Sequence, residues 1–277
     1  MELRRTTPVI GDSNWCAGPN EAELERIRLK ASSCGPLVTV SQAATSLIDE
    51  QGYVQIVGIP IAQARPLFLG LATLLGAVFI DPAEENALIG AHVRPQQHLM
   101  GNQVRALPLH TDYSMMQRPP RLTMSLCTRA DRMTGFGSLS VADVEAMVFG
   151  LDGDDDVVRF KRVMLPFAAR TIGDQVEVIE SPIICMEHDG RLVARYHKSR
   201  IVQGFRHRNQ SPTAEQAKTM RAFEKWIRES VQIMSVDIGY ITILDNHRMV
   251  HGRERCSVEL ALDGTTQGRQ MLFAFAY

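Results

Sequence analysis

His110 and Asp112, in the stretch RALPLHTDYSMM, stand two residues apart, a spacing at which an imidazole and a carboxylate can grip one metal ion. On a strand, alternate side chains share a face, so an extended His110-Thr111-Asp112 predicts both groups aimed at the same ion. A third ligand from a distant segment would complete a two-histidine, one-carboxylate face on iron, which leaves coordination positions open for oxygen and a co-substrate. The stretch LDNHRMVHGRERC offers two candidates, His247 and His251. HxD alone is a common pair, and an isolated histidine is more often a surface or satisfied core residue than a ligand, so the flanking residues have to decide. A zinc site built from His247 and His251, four apart, needs a helix, whereas ITILDN followed by Gly252 reads as a strand and a turn.

The elements that must position these groups are legible in outline. GPNEAELERIRLKASS reads as a helix with acidic residues in its early turns. SQAATSLIDEQG has a helical pattern, the β-branched stretch from Gly52 to Ile59 reads as a strand ending at Pro60, and a helix follows from about Ala62 to Leu75. From Ala87 onward short apolar stretches recur between Gly, Asp and Pro signals: NALIGAHV, RLTMSLCTRA, GSLSVADVEAM, QVEVIESPIICMEHDG, RLVARYH, DIGYITILDN and RQMLFAFAY. Repeated short strands of this kind predict a mainly β chain with flanking helices and a sandwich or jelly-roll core. A helical insert is expected at about 211–230, with Ser211 as its N-cap and Pro212 in the first turn. Asp152 to Asp156 lack calcium-loop spacing and read as a solvated acidic turn.

The length of 277 residues, without repeats or a long linker, predicts one domain over 1–277 with an irregular N-terminal segment at about 1–20. A formal net charge of −1 gives no electrostatic footprint for nucleic acid or an anionic membrane, so a small molecule, free or carrier-bound, is the expected partner. Five widely spaced cysteines without a CxxC pair read as reduced thiols. MELRRTTPVIGDSN has no apolar stretch of the kind a secretory signal needs, so the expected location is cytoplasmic. The uncharged run from Pro66 to Ile80 is too short to span a bilayer and reads as a buried helix.

With both halves of the metal motif read, the chain resembles the taurine dioxygenase superfamily of iron(II)- and 2-oxoglutarate-dependent oxygenases, especially its clavaminate synthase and amino-acid hydroxylase branch. The likeness rests on GYVQIVGIP, HTDYSMMQRPPRLTMSLCTRAD, FGSLSVAD, RLVARYH, LDNHRMVHGR and GRQMLFAF, in that order. It implies a double-stranded β-helix (cupin-like) core, with Fe(II) held by His110, Asp112 and His251, because His251 fills the histidine of the DNxRxxHGR pattern. It implies Arg269 on the last strand as the anchor of the 2-oxoglutarate carboxylate, through a guanidinium fork that matches it. Dioxygen is the other co-substrate, and hydroxylation, desaturation or cyclisation of a small metabolite in specialised metabolism is the implied outcome.

Two positions depart from the family. Leu139 stands where a threonine often contacts the co-substrate carboxylate, flanked by Ser138 and Ser140. Phe273 stands where a further arginine binds the substrate's anionic group, which points to a less polar, amino-acid-derived or carboxyl-masked substrate. The alternatives are an iron oxygenase that does not use 2-oxoglutarate and a non-catalytic metal- or ligand-binding scaffold.

Overall fold

The computed structural model describes residues 20–81, 86–94, 100–151, 153–169, 176–187, 190–260 and 266–277. The expected irregular N-terminal segment, with Cys16, therefore lies outside the described residues apart from Asn20. Asn20 caps the first helix, Glu21–Ser32, in a reciprocal capping box with Glu23.

Two antiparallel sheets carry the architecture. The larger runs in the order Tyr53–Ile56, Ile241–Asp245, Leu122–Arg129, Gln270–Ala276, Val78–Phe79, and Ile89–His92 also pairs with Gln270–Ala276. The smaller runs Gln232–Met234, Leu139–Asp143, Met249–Arg253, Leu107–His110. Strand alternation splits the larger sheet into two faces. Met124, Leu126, Ile243, Leu272 and Ala274 pack outward against Ala44 and Ile48 of the helix Gly35–Gln51 and Phe68 and Leu71 of the helix Ile61–Leu75. Ser125, Met271, Phe273 and Phe275 line a cavity on the inner side, which Leu107, Leu139 and His251 of the smaller sheet also line.

The outer face of the smaller sheet is covered in the same way. Ala142 and Val250 join a second core with Phe160, Tyr196, Phe205 and Phe223, contributed largely by the helices Asp155–Arg162, Lys198–His207 and Ala214–Glu229. An apolar outer sheet face must be covered, and helices do it twice here. Among the described residues, helices occupy more of the chain than strands, so the mainly β expectation is corrected to a mixed α/β architecture.

Three boundaries also differ from expectation. The insert helix starts at Ala214 with Thr213 as its cap, because Thr213 and Gln216 satisfy each other's backbone N–H in a capping box that Ser211 cannot make. The apolar run after Pro66 is helical only to Leu75; beyond Gly76, Val78–Phe79 becomes a strand paired with Phe275 and Ala276. Asp154 is the N-cap of Asp155–Arg162, so the described acidic residues there open a helix. No described helix is long and apolar enough to cross a membrane.

Candidate metal centre

His110 ends the strand Leu107–His110, and its Cα partner across the antiparallel pair is His251. Gly252 makes that pairing close. A Cβ there would lie 2.6 Å from the Leu107 carbonyl oxygen and 3.1 Å from the Leu109 nitrogen. The register shifts between His251 and Arg253, as at a bulge, which re-aims the strand beside the site.

Asp112 lies in the turn beyond the strand, so strand alternation is not what aims it. Asn246 does this instead. Asp112 N donates to Asn246 Oδ1 at 2.7 Å, and Asn246 Nδ2 donates to the carbonyls of Asp112 at 3.0 Å and Pro120 at 2.9 Å. Thr123 Oγ1 donates to Asp112 Oδ2 at 2.9 Å. Neighbouring Asp245 accepts from the backbone N–H groups of His247 and Arg248, which holds the tight turn into the His251 strand.

The three side chains converge. His251 Nε2 is 3.0 Å from Asp112 Oδ2, His110 Nε2 is 3.5 Å from Asp112 Oδ1, and one ligand atom from each residue lies within 4.8 Å of the others. His110 Nδ1 donates to the Pro108 carbonyl at 2.9 Å. That bond leaves the Nε2 lone pair facing Asp112, the tautomer a metal ligand needs. Burial pushes the His110 imidazole down, but Asp112 outweighs it and holds the group above its ordinary value. Burial likewise raises Asp112, yet the adjacent His251 and His110 pull it well below the usual carboxylate range. Two buried imidazoles and one half-buried carboxylate, gathered together, fit a divalent transition metal. His247 is not among them: its Nε2 is 3.1 Å from the Pro119 carbonyl.

The cluster opens onto the cavity, whose volume is about 320 Å³. Arg269 lines it, and the buried Arg269 Nε has no hydrogen-bond partner among the described residues. Burial pushes this guanidinium below its ordinary value. Its room comes from Gly137, at φ 66°, where a Cβ would meet Arg269 Cδ at 2.8 Å. An orphaned donor on a buried cation is what a carboxylate ligand would satisfy. Leu139 lines the cavity, while its serine neighbours look elsewhere: Ser140 Oγ donates to Glu254 at 2.7 Å and Ser138 Oγ to the Gly135 carbonyl at 3.2 Å. Arg253 is committed to the carbonyls of Gln103, Arg105 and Glu254.

The motif reading missed several neighbours. His197 lines the cavity with its ring 4.9 Å from that of His110, and burial, aided by His110 and Arg200, pushes it down to about 3. Arg195 donates to the carbonyls of Ser114, Met116 and Gln117, bracing the loop that follows Asp112. Asp81 and Tyr113 also reach the cavity. Tyr113 follows Asp112 directly, and Arg195 and His197 lie in RLVARYH, but no spacing marks their roles, and only the fold brings Asp81 to the site.

The family profile of the taurine catabolism dioxygenases TauD and TfdA matches residues 36–272. The chain belongs to this family. It is an iron(II)- and 2-oxoglutarate-dependent dioxygenase, which sets aside the non-catalytic scaffold and the oxygenase without 2-oxoglutarate. No curated sequence matches it. Among solved structures it is similar in fold to asparagine oxygenase bound to Fe(II), 2S,3S-3-hydroxyasparagine and succinate, at 19% identity and TM-score 0.75, covering 95% of this chain and 86% of that one. It is also similar to the non-heme iron oxygenase OrfP bound to Fe and alpha-ketoglutaric acid, at 18% identity and TM-score 0.66, covering 92% and 84%. A mutant of OrfP bound to (3S)-hydroxy-L-Arg matches at 15% identity and TM-score 0.69, covering 92% and 84%.

Proposed function

We propose that His110, Asp112 and His251 hold iron(II), that Arg269 anchors 2-oxoglutarate, and that the enzyme oxidises a small amino-acid-derived metabolite whose carboxyl group is masked or absent. The observation that carries this reading is the convergence of the three ligand groups on the wall of a cavity that Arg269 also lines. The two sheets around that cavity are the halves of a double-stranded β-helix, and residues 1–277 form one oxygenase domain. Four described cysteines are free, which suits a reducing cytoplasm.

When bound, iron and 2-oxoglutarate supply oxygen activation coupled to decarboxylation, which oxidises the substrate. The chain supplies geometry. His110 presents Nε2 because Pro108 holds the opposite nitrogen, and Asp112 is fixed by Thr123 and Asn246. Arg269 offers a desolvated guanidinium whose position Gly137 permits, without the hydroxyl that a threonine at 139 would add. Phe273 lines the cavity as an apolar wall and cannot pair with a carboxylate or sulfonate. Asparagine oxygenase and OrfP were solved with hydroxylated amino acids, and hydroxylation is accordingly the default outcome here, with desaturation or cyclisation open to the same residues.

Succinate formation with a panel of amino-acid derivatives tests the assignment. Turnover is expected to require added 2-oxoglutarate and to favour carboxyl-masked compounds, and Phe273→Arg is expected not to raise it. Turnover that proceeds unchanged without 2-oxoglutarate, or a gain from Phe273→Arg, would contradict the reading.

A further inference from the structure

We propose that Ser125 supplies the neutral hydrogen bond to the distal carboxylate of 2-oxoglutarate that Leu139 cannot make. The inference deepens the proposed function and rests on it, because it takes the metal ligands and Arg269 to hold the two ends of that co-substrate. Ser125 lies on the strand Leu122–Arg129, is half-buried, and lines the cavity.

The strand places it between the two ends. Side chains two apart share a face, so Thr123, Ser125 and Cys127 form one row along the inner side of the larger sheet. Thr123 Oγ1 donates to Asp112 at one end of the row. At the other end, Cys127 is the Cα partner of Met271, two residues beyond Arg269. Burial pushes the Cys127 thiol up to about 12 against the opposing pull of the Arg269 charge, which marks the guanidinium as its neighbour. Ser125 is midway, roughly 7 Å along the strand from Thr123 and from Cys127. A five-carbon diacid chelated beside Asp112 and gripped by Arg269 runs along this row and past the Ser125 hydroxyl.

The distal carboxylate has a use for that hydroxyl. It accepts at about four lone-pair sites, of which a guanidinium fork fills two. Away from water the others favour a further donor. Leu139 brings none, and Ser125 is the only serine or threonine among the described residues that line the cavity. Its hydroxyl has no hydrogen-bond partner among the described residues. Phe273, its Cα partner on the strand Gln270–Ala276, and Met271 give it apolar surroundings, in which such a bond is strengthened.

The test is an oxygen-free titration of the iron(II)-loaded protein, followed by the absorption of the chelate, with two probes. One is 2-oxoglutarate; the other is 2-oxopentanoate, which keeps the chelating 2-oxo acid and ends in a methyl group. Ser125→Ala is expected to weaken 2-oxoglutarate binding about tenfold and to leave 2-oxopentanoate binding unchanged. A hydroxyl that only supports the strand would affect both probes alike. An unaltered 2-oxoglutarate affinity in Ser125→Ala would overturn the inference and leave the hydroxyl to the substrate. An equal loss for both probes would overturn it as well. No band in wild type, or a 2-oxoglutarate affinity unmoved by Arg269→Ala, would instead remove the reading on which the inference rests.

Discussion

At the scale of single residues, the groups that aim the proposed ligands matter as much as those ligands. Asn246 clamps both backbone polar groups of Asp112, so Asn246→Ala is expected to cut iron(II) affinity about 10- to 100-fold and cost about 2–4 kcal/mol of stability. Metal titration and denaturant unfolding measure the two effects, and wild-type values for both would contradict the role. Arg269→Ala should weaken 2-oxoglutarate binding by about 1.5–3 kcal/mol, the worth of a lost charge-assisted pair. Proton competition gives a pH signature. His110 is held above its ordinary value, so acid favours its protonated form over metal, and iron loading should rise with pH and level off above that raised value. In the metal-free protein, His110 contributes stability below the unfolded value of 6.5 and loses it as pH rises through the raised folded value. Asp112 contributes above the unfolded value of 3.8 and loses it as pH falls through the depressed folded value. Loading that does not change with pH across the histidine range would contradict this.

At the scale of elements, two glycines set the distances. Gly252→Ala would push the His251 strand off the Leu107 carbonyl and part the two histidines, lowering iron affinity by about tenfold or more. Gly137→Ala combines a left-handed backbone with a clash against Arg269 Cδ, so it should weaken 2-oxoglutarate binding while iron binding stays unchanged. Equilibrium titrations of each ligand separate the two cases. The gathering of His110, Asp112, His251, Arg269 and Phe273 around one cavity is anticipated by the sequence, because motif order and spacing survive in one dimension, while their roles stand as proposed. Strand alternation is an incomplete reason for HxD: the strand stops at His110, and the aim of Asp112 comes from Asn246, 134 residues away. The Thr213 cap is hidden in the sequence because Ser211-Pro212 offers an equally plausible start until the Gln216 bond is seen.

At the scale of the whole molecule, a cavity between two sheets is held by two separate cores, one under the N-terminal helices and one under the later helices. Counting short strands finds the sheets but understates the helices, since the number of helices needed to cover two outer faces is a property of the assembled fold. The same assembly brings Asp81, and His197 with Arg200, to the cavity from two stretches distant from the HTD motif. The most direct test of the account is an oxygen-free titration of 2-oxoglutarate into the iron(II)-loaded protein, followed by the metal-to-ligand charge-transfer absorption of the chelate. The account predicts a saturable band in wild type, displaced to higher 2-oxoglutarate concentration in Arg269→Ala and lost in His251→Ala. No band in wild type, or an unchanged band in His251→Ala, would contradict it.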